Sequence, residues 1–364
     1  MTETMVDVVV IGAGQAGLST AYFLRKFGFT PGSGLVVLDG SPGPGGAWQR
    51  RPRSLTMRTV HGISDLPGIR LPRHGIEPDR PVREVVPDYF AAYEHRLGLE
   101  VLRPVRARAV ERGDDERLHV ETDKGRWSAR AVVNATGTWD RPYWPYYPGR
   151  EDFRGRQLHT ADYDGPEQFA GLDVVVVGGG HSAIQVLSEI AQVAASTTWV
   201  TRRPPVFRDE EFTPEIGRAV VAAVEERVRA GLPPASVVSA TGITLSPHVR
   251  AARDHGVLER LPLFDRIVAD GVVWDDGGYA HADAIVWATG YRPVIDHLAP
   301  LRLREPGGGI RLDGTRAVRE PRLHLVGYGP SASTIGANRA GRTAAREIRD
   351  LLRGASRRPD PKVA

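Results

Sequence analysis

Two long apolar runs, both rich in β-branched residues, dominate the hydrophobic pattern of the chain. They span Val6–Ile11 and Asp173–Val177. Runs of this kind are typical of strands that are buried on both faces of a parallel sheet. Apolar residues then recur at helical spacing, from Ala16 to Phe27 after the first run and as far as about Ala195 after the second. The pattern therefore predicts the same strand–turn–helix unit twice.

Further segments extend both units. Short strands are predicted at Leu35–Leu38 and Thr197–Thr201, each after one of the helices. A small β region is predicted around Val105–Val133, and Ala337–Leu352 has the spacing of an amphipathic helix. Strands that alternate with helices indicate parallel sheets with covered faces. The predicted fold class is α/β, with two Rossmann-like, three-layer dinucleotide-binding domains.

The first apolar strand runs into a glycine-rich turn, Gly12-Ala13-Gly14-Gln15-Ala16-Gly17. Gly12 permits the tight turn, Gly14 lets the backbone approach a pyrophosphate, and Gly17 lets helix and strand pack closely. The start of the helix offers unpaired N–H groups to the phosphates. Asp39 follows the next strand, where a carboxylate can accept hydrogen bonds from a ribose 2′-hydroxyl. The whole arrangement predicts a dinucleotide site that suits FAD.

The second apolar strand runs into a similar turn, Gly178-Gly179-Gly180-His181-Ser182-Ala183. Alanine is an accepted variant at the third glycine position. The strand that follows ends on Arg202 and Arg203 rather than on an acid. A guanidinium pairs with a 2′-phosphate through charge-assisted bonds, so this site is predicted to bind NADPH. The alternative is that both arginines merely solvate the end of a strand.

The order of the two units predicts that one domain is inserted into the other. Residues 1–150 and 293–354 are predicted to form the FAD-binding domain, and residues 155–290 the NADPH-binding domain. The proline- and aromatic-rich stretch Arg141–Pro148 is predicted to be a rigid hinge, because proline fixes φ. Residues 355–364 are polar and contain proline, so we expect a disordered tail.

Composition excludes several kinds of chemistry. The chain has no cysteine, which removes thiolate metal sites, iron–sulfur clusters and the redox-active dithiol of many flavoproteins. Its net charge is +4 and its arginines are scattered, so we expect no nucleic-acid partner. No run approaches the roughly 18 apolar residues of a membrane span, and no positive segment precedes the first strand. We expect a cytoplasmic protein without a membrane partner; motifs for metal binding or hydrolysis are also missing.

Short motifs around the two turns resemble those of a known family. The motifs are Gly45-Gly46-Ala47-Trp48, Ala135-Thr136-Gly137, Phe153-x-Gly155-x-x-x-His159-x-x-x-Tyr163, Ala288-Thr289-Gly290-Tyr291 and Leu325-Val326-Gly327-Tyr328-Gly329. In this order they resemble the flavin-containing monooxygenases, and the third is similar to the identifying sequence of that family. The shorter bacterial members are the closest type, since Baeyer–Villiger enzymes usually have Trp-Pro where this chain has Tyr163-Asp164.

The resemblance implies which residues hold FAD and NADPH. Met57 and Val105 are included among the cofactor-binding residues because of this resemblance. Val105 lies where the backbone of related proteins meets the adenine. The predicted cofactor-binding residues are Gly12, Gly14, Gln15, Ala16, Gly17, Asp39, Gly46, Ala47, Trp48, Met57, Val105, Ala135, Thr136, Gly137, Gly178, Gly180, His181, Ser182, Ala183, Arg202, Arg203, Ala288, Thr289, Gly290, Gly327 and Tyr328. Trp48 is expected to pack against the flavin, and His159 to lie at the domain interface or to position NADPH rather than to transfer a proton.

The resemblance also implies a reaction. NADPH reduces FAD, a flavin C4a-hydroperoxide forms with O₂, and one oxygen atom passes to sulfur, nitrogen or a ketone of a small molecule. Many members have an asparagine after the GG-x-W segment, but this chain has Arg58 and Thr59 near that position, and we expect these two to be catalytic. The alternatives are an NADPH-dependent reductase or oxidase that releases hydrogen peroxide, and a dinucleotide-binding protein without turnover. The oligomeric state stays open.

Overall fold

A computed structural model describes residues 3–60, 62–208, 214–234, 242–245 and 247–355 of the chain. Its larger sheet has nine strands in the described residues, in the order β17-β18-β19-β6-β1-β2-β3, with the hairpin β4–β5 joined to β6. The strands are β1 (Glu3–Ile11), β2 (Leu35–Leu38), β3 (Val101–Leu102), β4 (Ala107–Arg112), β5 (Leu118–Thr122), β6 (Gly125–Asn134), β17 (Leu312–Asp313), β18 (Arg316–Ala317) and β19 (Glu320–Leu325). Strands β1, β2, β3, β6 and β19 are parallel.

The second sheet is wholly parallel, in the order β12-β9-β8-β16-β7. Its strands are β7 (Arg156–His159), β8 (Asp173–Val177), β9 (Ser196–Thr201), β12 (Arg260–Pro262) and β16 (Ala284–Trp287). A parallel pair and an antiparallel meander complete the described strands. They are β10 (Phe207–Arg208) with β11 (Ile243–Thr244), and β13 (Arg266–Val268), β14 (Gly271–Val273) and β15 (Tyr279–His281).

The helices pack against the faces of the two sheets. They are α1 (Gln15–Lys26), α2 (Val82–Arg96), α3 (His181–Ile190), α4 (Pro214–Arg229), α5 (Pro247–Asp254) and α6 (Thr334–Ala355). Short 3₁₀ turns lie at Gly46–Arg50, Glu167–Phe169, Asp296–Leu301 and Gly329–Ser331. No helix in the described ranges has the length and apolar character that a membrane crossing requires.

Alternate residues of the central strands enter two separate cores, which explains the continuous apolar runs. In β1, Val8 and Val10 pack with α1 and α6, whereas Val9 and Ile11 face the hairpin side of the sheet. In β8, even-numbered valines pack with α3, while the odd-numbered ones pack against the meander. Both sheets are therefore the middle layer of three, and the predicted α/β fold class is confirmed.

Element boundaries differ from the sequence prediction in two helices. Helix α3 ends at Ile190 rather than near Ala195, because the chain turns back after this residue toward the start of β8. There the N–H of Ala195 donates to the O atom of Leu172, the residue before β8, at 2.9 Å. Helix α6 begins at Thr334, three residues before the predicted start. Ser333 caps its first turn, since its hydroxyl accepts the N–H of Gly336 at 3.0 Å.

The chain leaves the larger sheet after β6, builds the second sheet from β7 to β16, and returns for β17–β19. The two connecting segments run side by side. Tyr143 N donates to Gly290 O at 2.9 Å, Arg292 N to Arg141 O at 2.9 Å, and Val294 N to Gly137 O at 3.0 Å. Of the predicted tail, Ala355 ends α6, and 356–364 lie outside the described residues.

Candidate functional site

The carboxyl ends of β1, β2, β6 and β19 meet at one edge of the larger sheet, because these strands are parallel. This edge brings together segments far apart in sequence: the first glycine turn, Asp39, Ala135-Thr136-Gly137 and Gly327. Crevices outside the carboxyl ends of parallel strands are the usual ligand sites of α/β sheets. We call this region the first edge.

Three glycines of the first edge, Gly12, Gly17 and Gly46, are packed too closely for side chains. Gly12 has φ +101°, and a Cβ there would lie 2.5 Å from Ala135 O. A Cβ on Gly17 would lie 1.8 Å from Gly12 O, and one on Gly46, at φ +52°, would lie 2.8 Å from the Gly14 Cα. The turn and the Gly46–Arg50 segment therefore approach each other backbone to backbone. A surface of this kind admits a phosphate chain close to main-chain N–H groups.

Asp39 lies at the end of β2 in a buried ionic network that the sequence did not indicate. Arg103 donates from Nε to Asp39 Oδ2 at 2.8 Å, and from both terminal nitrogens to the carboxylate of Glu94 at 2.7 Å each. The side chains of Arg103 and Glu94 are 10% exposed and that of Asp39 is 9%. The second oxygen of Asp39 accepts the N–H of Ser41 at 3.3 Å. Arg103 thus holds Asp39 in place at the first edge.

Gln15 links the start of α1 to the start of α6. Its Nε2 donates to Asn338 Oδ1 at 2.9 Å, and Asn338 Nδ2 donates to Asp65 O at 2.8 Å. The Oε1 of Gln15 is buried and has no hydrogen-bond partner. Neither Gln15 nor any other side chain caps the first turn of α1, whose N-cap is Gly14. An unpaired buried acceptor is costly, so this oxygen indicates a donor from a bound ligand.

The second edge is formed by the carboxyl ends of β7, β8, β9 and β16. Gly178 has φ +145°, and a Cβ there would lie 2.3 Å from Ala288 O, which ties the second turn to the Ala288-Thr289-Gly290 segment. Gly180 is the N-cap of α3, without a capping side chain, and faces open space. Arg202 and Arg203 follow β9 and are exposed. Glycine turn, helix start and arginines therefore share one side of this sheet.

His159 ends β7 and is fully buried. Its Nδ1 accepts the N–H of Ala161 at 3.0 Å, and its Nε2 lies 3.1 Å from Gly290 O, so Nε2 carries the proton. Burial lowers the pKa of His159, opposed by the bond to Gly290 and by the charge of Asp162. Both ring nitrogens are engaged with the backbone. The geometry favours the interpretation of His159 as a positioning residue.

A cluster of aromatic rings and one arginine connects the two edges. The Arg51 guanidinium lies 5.4 Å from the centroid of Trp48 and 4.8 Å from that of Trp139. Trp139 stacks on Tyr291 with centroids 5.0 Å apart. Tyr291 in turn meets His159 edge to face, also at 5.0 Å. We call Trp48, Arg51, Trp139 and Tyr291 the junction cluster.

Arg51 was not identified from the sequence, although Trp48 and Tyr291 were. It stands in a run of basic residues with Arg50 and Arg53, and only the fold separates them. Arg50 pairs with Asp140, and Arg53 pairs with Asp164 at 3.3 Å, both with substantial exposure. Arg51 instead turns inward at the end of the 3₁₀ turn, where its N–H donates to Trp48 O at 3.3 Å.

Arg58 and Thr59, the predicted catalytic pair, lie on an exposed turn. The Arg58 side chain is 62% exposed and pairs with Asp79 at 2.8 Å, and the Thr59 hydroxyl accepts the N–H of Thr56 at 3.0 Å. The hydrogen bond to Asp79 raises the pKa of Arg58. These contacts do not link either residue to the glycine turns. A catalytic role for Arg58 and Thr59 stays a prediction.

The other predicted cofactor residues lie at or next to the strand ends, and the two largest buried side chains among them are those of Val105 and Tyr328. Val105 and Tyr328 are 7% and 4% exposed, and the Tyr328 hydroxyl accepts the N–H of Ile310 at 3.5 Å. They can meet a cofactor through the backbone. The remaining predicted positions follow the strand ends or glycine turns already described: Ala16, Ala47, Thr136, Gly137, His181, Ser182, Ala183, Thr289 and Gly290. Met57 is half-buried, and its N–H donates to Arg80 O at 3.0 Å.

Comparisons with known proteins agree with this architecture. A family model described as pyridine nucleotide-disulphide oxidoreductase matches residues 9–248. A solved flavin-containing monooxygenase from Stenotrophomonas maltophilia is 39% identical, over 96% of this chain and 99% of that one, with a TM-score of 0.79. An uncharacterized, CzcO-like oxidoreductase of Geobacillus kaustophilus is 26% identical, over 79% of this chain and 81% of its own length.

A more distant solved structure shares the fold. It is the bacillithiol disulfide reductase of Bacillus cereus, at 20% identity and a TM-score of 0.69, with 96% of this chain and all of that chain covered. At this identity the likeness extends to architecture alone. The family model matches more than half of the chain, and the Stenotrophomonas enzyme matches nearly all of it, so the two comparisons together show the family. The chain belongs to the pyridine nucleotide-disulphide oxidoreductase family and, within it, to the flavin-containing monooxygenases.

Proposed function

We propose that the chain binds FAD at the first edge and NADPH at the second, and uses both to insert one oxygen atom of O₂ into a small molecule. The observation that carries this proposal is the pairing of two glycine turns, each at the carboxyl ends of parallel strands in its own sheet. The segments that join the sheets run antiparallel to each other, which fixes the two edges relative to one another. A hydride can pass between cofactors only when their reacting rings are held close.

The first edge fits FAD. Gly14 and Gly46 leave room for a pyrophosphate against main-chain N–H groups, and the uncapped start of α1 favours negative charge. Asp39 would accept hydrogen bonds from the ribose, with Arg103 fixing its orientation. The unpaired Gln15 Oε1 would accept a donor from the flavin side of the cofactor. We assign residues 1–150 and 293–354 to this FAD-binding domain.

The second edge fits NADPH. Gly178 and the uncapped start of α3 would receive its pyrophosphate. Arg202 and Arg203 would pair with the 2′-phosphate, which NADH lacks. His159 would hold the Gly290 carbonyl, and through it the segment that leads to the junction cluster. We assign residues 155–290 to this domain.

Bound FAD would supply the oxygen chemistry, through the C4a-hydroperoxide that the resemblance implies. The residues of the chain would bind and orient both cofactors and keep water from the reacting atoms. The substrate would present sulfur, nitrogen or a ketone. Although related proteins reduce disulfides, this chain has no cysteine and therefore no thiol to pass electrons onward.

The test is a rapid-mixing experiment on the purified FAD-containing protein. The flavin is reduced with NADPH without oxygen and then mixed with oxygenated buffer, while its absorbance spectrum is recorded. We expect an adduct spectrum to appear before the oxidised flavin returns. Direct return of oxidised flavin, with hydrogen peroxide equal to the NADPH consumed, would establish a reductase or oxidase instead.

A further inference from the structure

A buried hydroxyl at the end of β9 holds the turn that carries Arg202 and Arg203. The hydroxyl belongs to Thr201, the last residue of β9, which is 1% exposed. Its Oγ1 lies 2.8 Å from Arg203 O and 2.7 Å from the Nε of Arg260. Arg260 is the first residue of β12, the strand that pairs with β9. One side chain thus joins the turn after β9 to the neighbouring strand.

The direction of both hydrogen bonds follows from the chemistry of arginine. A guanidinium donates hydrogen bonds and accepts none, so the Nε of Arg260 donates to Thr201 Oγ1. The single proton of the hydroxyl is then directed to Arg203 O, the acceptor on its other side. Arg260 also donates from Nη2 to Thr201 O at 3.4 Å. Arg260 therefore fixes the direction in which the Thr201 hydroxyl donates.

The same turn lies against the second glycine turn. A Cβ on Gly179 would lie 3.6 Å from Thr201 Cγ2 and 4.0 Å from Arg203 O. Pro204 and Pro205 follow Arg203, and a residue before proline is restricted to extended conformations. The carbonyl that accepts from Thr201 is therefore held beside the segment that we assign to the pyrophosphate.

The position of this backbone matters because the two arginine side chains are free to move. Arg202 and Arg203 are exposed, and neither forms a salt bridge with another residue that the structure describes. Long side chains lose rotamer freedom when they bind, which lowers affinity. A backbone that is already in place limits this loss to the side chains themselves. The hydrogen bond to Arg203 O is what supplies such a backbone at the second edge.

We propose that Thr201 is a positioning residue for the 2′-phosphate of NADPH, and that Arg260 orients its hydroxyl. By holding the carbonyl of Arg203, the hydroxyl fixes the turn whose arginines distinguish NADPH from NADH. Both residues act through Arg202 and Arg203 without touching the phosphate. This inference rests on the proposed function, because it concerns the same second edge.

The test compares two nucleotides that differ only in the 2′-phosphate. Calorimetry gives the dissociation constants of adenosine 2′,5′-bisphosphate and adenosine 5′-monophosphate for the oxidised FAD-containing protein. Thr201→Val keeps the shape of the side chain without its hydroxyl, Thr201→Ser keeps the hydroxyl, and Arg260→Lys keeps the charge without the Nε donor. Thr198→Val is the control, since Thr198 lies in the same strand and its hydroxyl bonds to no other described residue.

We expect wild type and Thr198→Val to prefer the bisphosphate by the same ratio of dissociation constants. Thr201→Val should reduce this ratio by about 3- to 10-fold, the loss typical of one hydrogen bond, with the affinity for the monophosphate unchanged. Thr201→Ser should restore most of the ratio, and Arg260→Lys should fall between wild type and Thr201→Val. In turnover, Thr201→Val should raise the KM for NADPH at an unchanged kcat and leave both constants for NADH unchanged.

The outcomes that would overturn the proposal are distinct from one another. If Thr201→Val kept the wild-type ratio, or if Thr201→Ser lost as much as Thr201→Val, the hydroxyl would not position the arginines. Equal losses for both nucleotides would make it a support of the whole edge instead. Should Thr201→Val fail to fold, an unchanged ratio in Arg260→Lys would be decisive against the proposal. A wild type that binds both nucleotides alike would also contradict the proposed NADPH site, which the other outcomes leave intact.

Discussion

The buried network of Arg103, Asp39 and Glu94 offers a sharp test of how the first edge is held together. Arg103 makes three hydrogen bonds of 2.7–2.8 Å to two carboxylates, and all three side chains are at most 10% exposed. Replacing Arg103 by methionine keeps most of the side-chain volume but removes the cation. Two negative charges then face each other in a buried place. The variant should therefore lose both stability and affinity for FAD.

The magnitude follows from the burial. Breaking a buried ion pair by removing one partner costs about 3–5 kcal/mol, because the other charge stays desolvated and unpaired. Arg103→Met leaves both Asp39 and Glu94 buried without a partner, so we expect the free energy of unfolding to fall by an amount in the upper half of this range. Asp39 also loses the hydrogen bond that fixes its orientation, and with it the proposed contact to the ribose. Glu94→Gln keeps the Arg103–Asp39 bond and should affect stability more than FAD affinity.

The assays are chemical unfolding, for the free energy of unfolding, and titration of the FAD-free protein with FAD, for the dissociation constant. Arg108→Met is the control, since Arg108 lies exposed on β4 nearby. It should change the unfolding free energy by no more than about 0.5 kcal/mol. If Arg103→Met matched the control in both assays, the network would not be what holds Asp39 at the first edge, and the reasoning would be refuted.

Two further predictions concern the second edge and the interior. Replacing both Arg202 and Arg203 by glutamine should lower kcat/KM for NADPH by about 10- to 100-fold, because it removes charge-assisted hydrogen bonds worth roughly 1.5–3 kcal/mol. The kcat/KM for NADH, which lacks the 2′-phosphate, should stay unchanged. Equal losses for both coenzymes would contradict the assignment of these arginines to the 2′-phosphate. Burial lowers the pKa of His297 to about 4, while the ring donates to Asn134 Oδ1 at 2.7 Å. Because the unfolded chain binds this proton near pH 6.5, the unfolding free energy should fall by up to about 3 kcal/mol between pH 6.5 and 4. His324, whose pKa burial lowers to about 3, contributes in the same direction, so His297→Gln should reduce the slope measured by chemical unfolding without abolishing it, and an unchanged slope would argue against this contribution of His297.

The strands and glycine turns could be predicted because their signals are local. Leu35–Leu38 and Asp173–Val177 have the predicted bounds, since a strand buried on both faces leaves a continuous apolar run. Parallel pairing then places the carboxyl ends of neighbouring strands at a common edge within each of the two sheets. The helix ends were less predictable. The end of α3 depends on a turn that bonds back to Leu172, and the sequence pattern of a helix does not report such a contact.

The side-chain networks of the site could not be predicted, because they join residues far apart in sequence. Arg103 meets Glu94 and Asp39 only once β2, β3 and α2 have assembled. Arg51 is one of several neighbouring arginines, and its inward turn depends on a 3₁₀ segment and on Trp139. Conversely, the motif containing Tyr328 pointed to the right strand end but could not reveal that the side chain faces the core.

The junction cluster has a consequence for how a fold shared with disulfide reductases can favour oxygen transfer. If FAD binds at the first edge as proposed, no thiol of this chain can take its electrons onward, and O₂ or a bound substrate would be the acceptor. The access of water and ligand to the region between the edges would then decide which of these acceptors reacts. The junction cluster lies between the edges: Arg51 contacts the rings of Trp48 and Trp139, and Trp139 stacks on Tyr291. Apolar rings at this place would keep water from the reacting atoms of cofactors bound as proposed, and exclusion of water favours transfer of oxygen over its loss as hydrogen peroxide.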